Sequence, residues 1–378
     1  MDEAEVDQGA PLGLETRILH SEGASELYVT MVPPGNGTDD ESVTHVFEAI
    51  RDRLISDEAW IFAERIFAAP DAFTRLNAIR SATYGDLADA VPPTCLVAAG
   101  SGRLAGVQVH AVRTDGRPRV LEHEGHARGR VITDGSHKWV SLAGVAAPEA
   151  GPAPRQARRM FEKAEALLKI AGGTTADLAR TWLWLGDICP WYADLNQVRT
   201  EFFTERGLID PAAGRSVLPA STGIGIVPAG GGQACALDAV AIVGDSGASH
   251  HVAAGGDQQS AFQYGSAFSR ATLAVTPAGK TLFVSGTAAI DDEGRTEHVN
   301  DPERQIAATL QHVRAVLHDF GCRDEHVLSA IAYAKTDEIR QEFEGRRDDV
   351  PWPCLSLVAD VCREELAFEM EVTARVEG

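Results

Sequence analysis

Basic residues are scarce in this 378-residue chain: 34 lysines and arginines stand against 55 aspartates and glutamates, a formal charge of −21. That field repels phosphate backbones and anionic lipid surfaces, so neither nucleic acid nor a membrane is an expected partner. An anionic small molecule would need a local cluster of cations. No run approaches the roughly 20 continuous apolar residues of a membrane helix. The opening MDEAEVDQGAP lacks the basic start and apolar stretch of a secretory leader, so a cytoplasmic protein is expected. Six cysteines (Cys95, Cys189, Cys235, Cys322, Cys354 and Cys362) lie far apart without a CxxC pair, which argues against a disulfide framework or zinc site. His123 with His126, and the pair His250 and His251, also lack metal-ligand spacing, and no metal is expected. PASTGIGIVPAGGG lacks the lysine and following helix of a phosphate loop.

What the chain has is apolar material, 44% of its residues, and one unit repeated three times. Apolar strands open in ELYVTMVPPG, HKWVSLAGVAAP and KTLFVSGTAAID, each followed by a helix such as QIAATLQHVRAVLHDFG, where Ile306, Leu310, Val313, Leu317 and Phe320 share one face. A further strand and a short helix follow, then a proline-marked loop and closing strands ending in LAGVQVHAV, ACALDAVAI and LAFEMEVTA. The order β-β-α-β-α-β-β predicts an α+β fold on mixed sheets, with units at 15–115, 128–245 and 260–378. The polar, glycine-rich stretches 114–130 and 244–260 are expected as linkers.

The last strand is chemically odd. Glu369 and Glu371 alternate with Phe368, Met370 and Val372, and an isolated acid on a buried face is costly because burial disfavours its charged form. Laid beside the other closing strands, Glu369 is matched to Gln108 and Ala236, so one copy in three keeps a carboxylate. A residue needed by the common fold should recur, so this one points to a site; the other reading is a surface carboxylate on an exposed sheet edge. Glu371 is expected on the opposite face, with Asp238 as its counterpart. Alternation places Arg180 beside Trp182 and Trp184, either as a ligand-binding cation or as a cation-π packing element. Arg270 opens the third unit; unless it binds a ligand, it is a surface arginine at a strand start.

The glycine after the second strand, the proline-marked loop and the terminal xExEx strand resemble the RidA/YjgF (reactive-intermediate deaminase) superfamily. Within it LARTW, PASTGIG, FSRAT and ADVCREELAFEMEV resemble, in the same order, segments of the chorismatases. The resemblance implies three tandem RidA-like repeats forming a chorismate-mutase-like barrel, an intramolecular pseudo-trimer that is monomeric and keeps one active site. It implies Glu369 as the catalytic acid. Arg270, Arg180 and Lys335 would hold a small anionic carboxylate, and Tyr264 and Thr222 would shape the pocket. It also implies that no cofactor is required. The activity implied is hydrolysis of the enolpyruvyl ether of chorismate or a related cyclic carboxylate, releasing pyruvate in secondary metabolism. Two readings stand beside it: an enamine or imine hydrolase, and a noncatalytic pseudo-trimer that binds small carboxylates or a protein. The sequence departs from both families. The loop arginine of simple RidA proteins is matched here to Thr94, Ser221 and Pro353, YGSAF lacks a proline-flanked arginine of the chorismatases, and Lys335 stands where they have arginine.

Overall fold

The computed structural model describes residues 13–34, 37–98, 104–135, 137–244, 247–256 and 258–377. The first unit contains β1 (Leu14–His20), β2 (Ser25–Met31), α1 (Asp40–Ser56), β3 (Trp60–Ala68), α2 (Phe73–Tyr84), β4 (Thr94–Val97) and β5 (Leu104–Arg113). The second begins with β6 (Arg119–His123), β7 (His126–Asp134), β8 (His137–Val145), α3 (Ala153–Ala171), β9 (Leu178–Leu185) and α4 (Ile188–Glu205). It continues through a small pair, β10 (Ile209–Asp210) and β11 (Arg215–Ser216), to β12 (Ala220–Ile224), β13 (Val227–Pro228) and β14 (Cys235–Val243). The third holds β15 (Ser249–Val252), β16 (Ala271–Thr276), β17 (Gly279–Ala288), α5 (Pro302–Asp319), β18 (Val327–Ala334), α6 (Asp337–Glu344), β19 (Cys354–Val358) and β20 (Phe368–Val376).

Strand order repeats: β1-β2-β5-β3-β4, β7-β8-β14-β9-β12 and β16-β17-β20-β18-β19. The fold is α+β with three tandem units. The expected linkers are a correction, because they supply β6, part of β7, and β15, which extend the second and third sheets. β6 and β7 join through Glu124 (φ 53°) and Gly125 (φ 76°), the two positive-φ residues that a tight hairpin needs. α4 is also longer than the short helix expected, at 18 residues.

Each sheet is buried on both faces. On the outer face, helices cover it: Ile306, Leu310, Val313 and Leu317 of α5 pack with Phe368, Met370 and Val372 of β20. On the inner face, Phe62 and Phe67, Trp139, Trp182 and Trp184, and Phe283 and Tyr333 form one cluster contributed by all three units. Side chains on the inner face of a closing strand therefore sit between units, where a polar group must find a partner from its neighbour.

Candidate active site

Residues i and i+2 of a strand share a face. Glu369 and Glu371 therefore point the same way, into the interior, and the expectation that Glu371 faces away is corrected: both carboxylates are 5% exposed. On β20, Glu369 pairs with Ala288 and Met370 with Thr287, but Val372 pairs with Val284, so a bulge at Ser285 and Gly286 stands opposite Glu371. A Cβ on Gly286 would overlap Glu369 Oε1, so only glycine leaves room for the acid there.

The same register corrects the match between units. Trp182 pairs with Asp238, Arg65 with Gln108 and Ile331 with Glu371, so Glu371, Asp238 and Gln108 are equivalent, and Glu369 is matched by Ala236 and Gly106. In the first unit β2 and β5 pair without that bulge, Thr30 with Gln108 and Met31 with Val107. Glu369 remains the one carboxylate at its position. The proline-loop match moves as well, to Thr94, Thr222 and Leu355, which pair with Arg65, Trp182 and Ile331, and there too no arginine occurs.

The two rows behave differently. Each member of the Glu371 row bonds to a neighbouring unit. Glu371 accepts from Arg180 Nη2 (2.9 Å) and Trp182 Nε1 (2.7 Å). Asp238 accepts from Arg65 Nε (2.7 Å) and Thr94 Oγ1 (2.6 Å), and Gln108 Nε2 donates to the Ala330 carbonyl (3.0 Å). This row stitches the units together. Glu369 instead lines a cavity of about 320 Å³ between the second and third units, with Tyr192, Ser221, Phe268, Arg270 and Arg363 among its walls. Burial, with help from the Glu371 charge, raises its carboxyl to about 8, against the pull of Arg180 and Arg270. An acid in that state is neutral at pH 7 and has a proton to give.

Of the residues singled out from sequence, Glu369 and Arg270 meet at this cavity. Arg270 is 2% exposed, with Nε donating to the Gln259 carbonyl (3.0 Å), so it is not a surface side chain. Arg180 and Thr222 lie one layer inward. Arg180 Nη2 donates to Thr222 Oγ1 (2.5 Å), and its guanidinium lies 4.7 Å from the Trp182 ring, so it is both an ion-pair and a cation-π element. Ser221 and Gly223 face the cavity in place of Thr222. Lys335 is outside the lining: its Nζ donates to the Glu364 carbonyl (2.8 Å) and lies 3.6 Å from Asp360, which ties down the loop carrying Cys362 and Arg363. The Tyr264 side chain lies outside the described residues. Arg363 went unrecognised in sequence although it falls inside ADVCREELAFEMEV; Gly286 was visible as the glycine shared by SGTAAI and AGVAAP.

No protein-family model and no curated protein matches the chain. A solved chorismatase structure aligns with 83% of this chain and 93% of its own at 20% identity, with a TM-score of 0.61. A YjgF-family protein from Neisseria meningitidis aligns with 34% of this chain and 96% of its own (19% identity, TM-score 0.27). A YjgF/YER057c/UK114-family protein from Mycobacterium tuberculosis aligns with 33% of this chain and 99% of its own (20% identity, TM-score 0.26). The chain has the fold of a chorismatase, with three tandem units of one strand order in one polypeptide.

Proposed function

We propose that the protein is a hydrolase that cleaves the enolpyruvyl ether of chorismate or a related cyclic carboxylate. The observation that carries this reading is Glu369: a buried carboxyl with its pKa raised to about 8, facing a cavity of about 320 Å³ that Arg270 and Arg363 also line. That volume lies at the lower end of the roughly 300–1,000 Å³ typical of small-molecule sites and suits one ring with short substituents. Glu369 gives its proton to the terminal carbon of the enol ether. Water adds to the resulting oxocarbenium carbon, and the hemiketal collapses to pyruvate and the ring alcohol. General acid catalysis needs a group still protonated near the working pH, which an ordinary carboxylate is not. The reading is tested by incubating the protein with chorismate and following pyruvate through coupled lactate dehydrogenase. Pyruvate release at a rate proportional to enzyme supports it, and none within a sensitivity that detects a slow enzyme overturns it. Ammonia release from 2-aminoacrylate would instead favour an enamine or imine hydrolase.

Arg270 orients the carboxylate. Its planar fork and its charge both matter at a bidentate contact, so Arg270→Ala should raise KM roughly 10–100-fold and Arg270→Lys less. Steady-state kinetics check this, and equal small effects of both would remove Arg270 from substrate binding. The chain acts as a monomer, since its three units present partners to one another. Sedimentation should give a species of 40.3 kDa, and a trimer would contradict the single-chain ring.

A further inference from the structure

The arginine and the bulge glycine of the candidate active site recur in the second unit. Ala239 meets Leu142, which meets Gly129; in the third unit Val372 meets Val284, which meets Ala271. Ala239 and Val372 each follow the interface acid, Asp238 or Glu371, by one residue. Arg128 and Arg270, each one residue before the outer partner, therefore occupy equivalent places. Gly144 stands where Gly286 does, and the pairing around it, Val145 with Leu237 and Leu142 with Ala239, carries the same bulge. In the first unit the path runs Val109, Val29, Thr16 and puts Glu15 there, while a Cβ on Gly106 would lie 2.6 Å from Leu355, which fills that interface. Two of the three units therefore keep the arginine and the bulge glycine.

Arg128 lines a cavity of about 160 Å³ walled by the second unit, together with Glu124, His126, Ala146, Glu149 and Lys163. It is half-buried and makes no hydrogen bond or ion pair among the described residues. The nearby acids are already engaged. Asp238 accepts from Arg65, Thr94 and the Gly144 amide (2.7 Å); Glu124 is 2.6 Å from Arg159, and Glu149 is 2.6 Å from Lys163. Asp238 attracts Arg128 through space, but no carboxylate bonds to its guanidinium among the described residues. Ala236 stands where the candidate active site has Glu369, so this pocket has a cation to hold an anion and no counterpart of the candidate catalytic acid. At half the volume of the other cavity it excludes a substituted ring.

We propose that this pocket binds a small carboxylate of a few carbon atoms through the Arg128 fork, as a site separate from the candidate active site. Planar, paired donors match a carboxylate better than a point charge does. The test is calorimetric titration of the full chain with acetate and with pyruvate, phosphate serving as comparison, in an Arg270→Gln background so that the other cavity contributes little. Saturable carboxylate binding is expected, weakened about tenfold or more by adding Arg128→Gln. Ala146→Leu, which fills the pocket and leaves the guanidinium in place, should weaken it similarly and serves if Arg128→Gln does not fold. Absence of saturable binding overturns the proposal, as does undiminished affinity in a folded variant or tighter binding of phosphate than of either carboxylate. The readout is binding, so it stands or falls independently of turnover at Glu369.

Discussion

Replacing Glu369 by glutamine should lower turnover roughly 10²–10⁴-fold, the usual contribution of a positioned general acid, while making the folded protein more resistant to alkali. Both expectations follow from one fact: the carboxyl titrates near 8 in the folded chain, against an ordinary 4.5. Below pH 4.5 the native and unfolded states both hold the proton, and no stability difference arises. Between 4.5 and about 8 the native state keeps a proton that the unfolded chain releases, so the stability of the natural protein falls with rising pH. The slope from this group approaches about 1.4 kcal/mol per pH unit, and the total is of the order of a few kcal/mol. Glutamine keeps the shape and cannot ionise, so that slope should vanish in denaturant titrations across the pH range. Activity of the natural protein should fall about tenfold per unit above the same pKa as the proton donor is lost. Retained turnover in Glu369→Gln would sink the catalytic assignment. Unchanged pH dependence of stability would sink the neutral buried acid, and the two results are separable.

Repeat structure was legible in the sequence because each unit must bury both faces of its sheet, which leaves near-continuous apolar strands followed by helices with one apolar face. Glu369 was legible for the opposite reason, as an acid in an apolar strand. Pairing was less accessible. Which residues of β5 and β20 correspond is set by their backbone pairing with β3 and β18, Arg65 with Gln108 and Ile331 with Glu371, and a register shift changes that correspondence. The β6–β7 hairpin was hidden because its turn is Glu124–Gly125 and not the more usual Asn-Gly or Asp-Gly. Lys335 was misleading for a different reason: proximity in sequence to the end of β18 says nothing about which side of the following loop its ammonium reaches.

Glu371→Gln should be destabilising, by roughly 3–5 kcal/mol, because it strips a buried guanidinium of its counter-charge. Arg180 is 2% exposed, and its Nη1 already has no hydrogen-bond partner among the described residues. The amide oxygen of glutamine can still accept from Trp182 Nε1, so the loss is chiefly that of the charge. Removing the cation as well, in Arg180→Met with Glu371→Gln, should recover most of the stability, since a buried ion pair and an apolar replacement are often close in free energy. On the proposed function, the pair also tunes the acid at one remove. The charge of Glu371 raises the pKa of Glu369 and Arg180 lowers it. Glu371→Gln deletes the first influence and leaves the second uncompensated, so the alkaline limb of the activity profile should move to lower pH. In the double variant both influences go while burial stays, and the limb should move back up. A merely structural role would change stability without moving that limb. A denaturation midpoint and a pH profile both unchanged by Glu371→Gln would mean that the Arg180–Glu371 bond neither holds the second and third units together nor tunes the acid beside it.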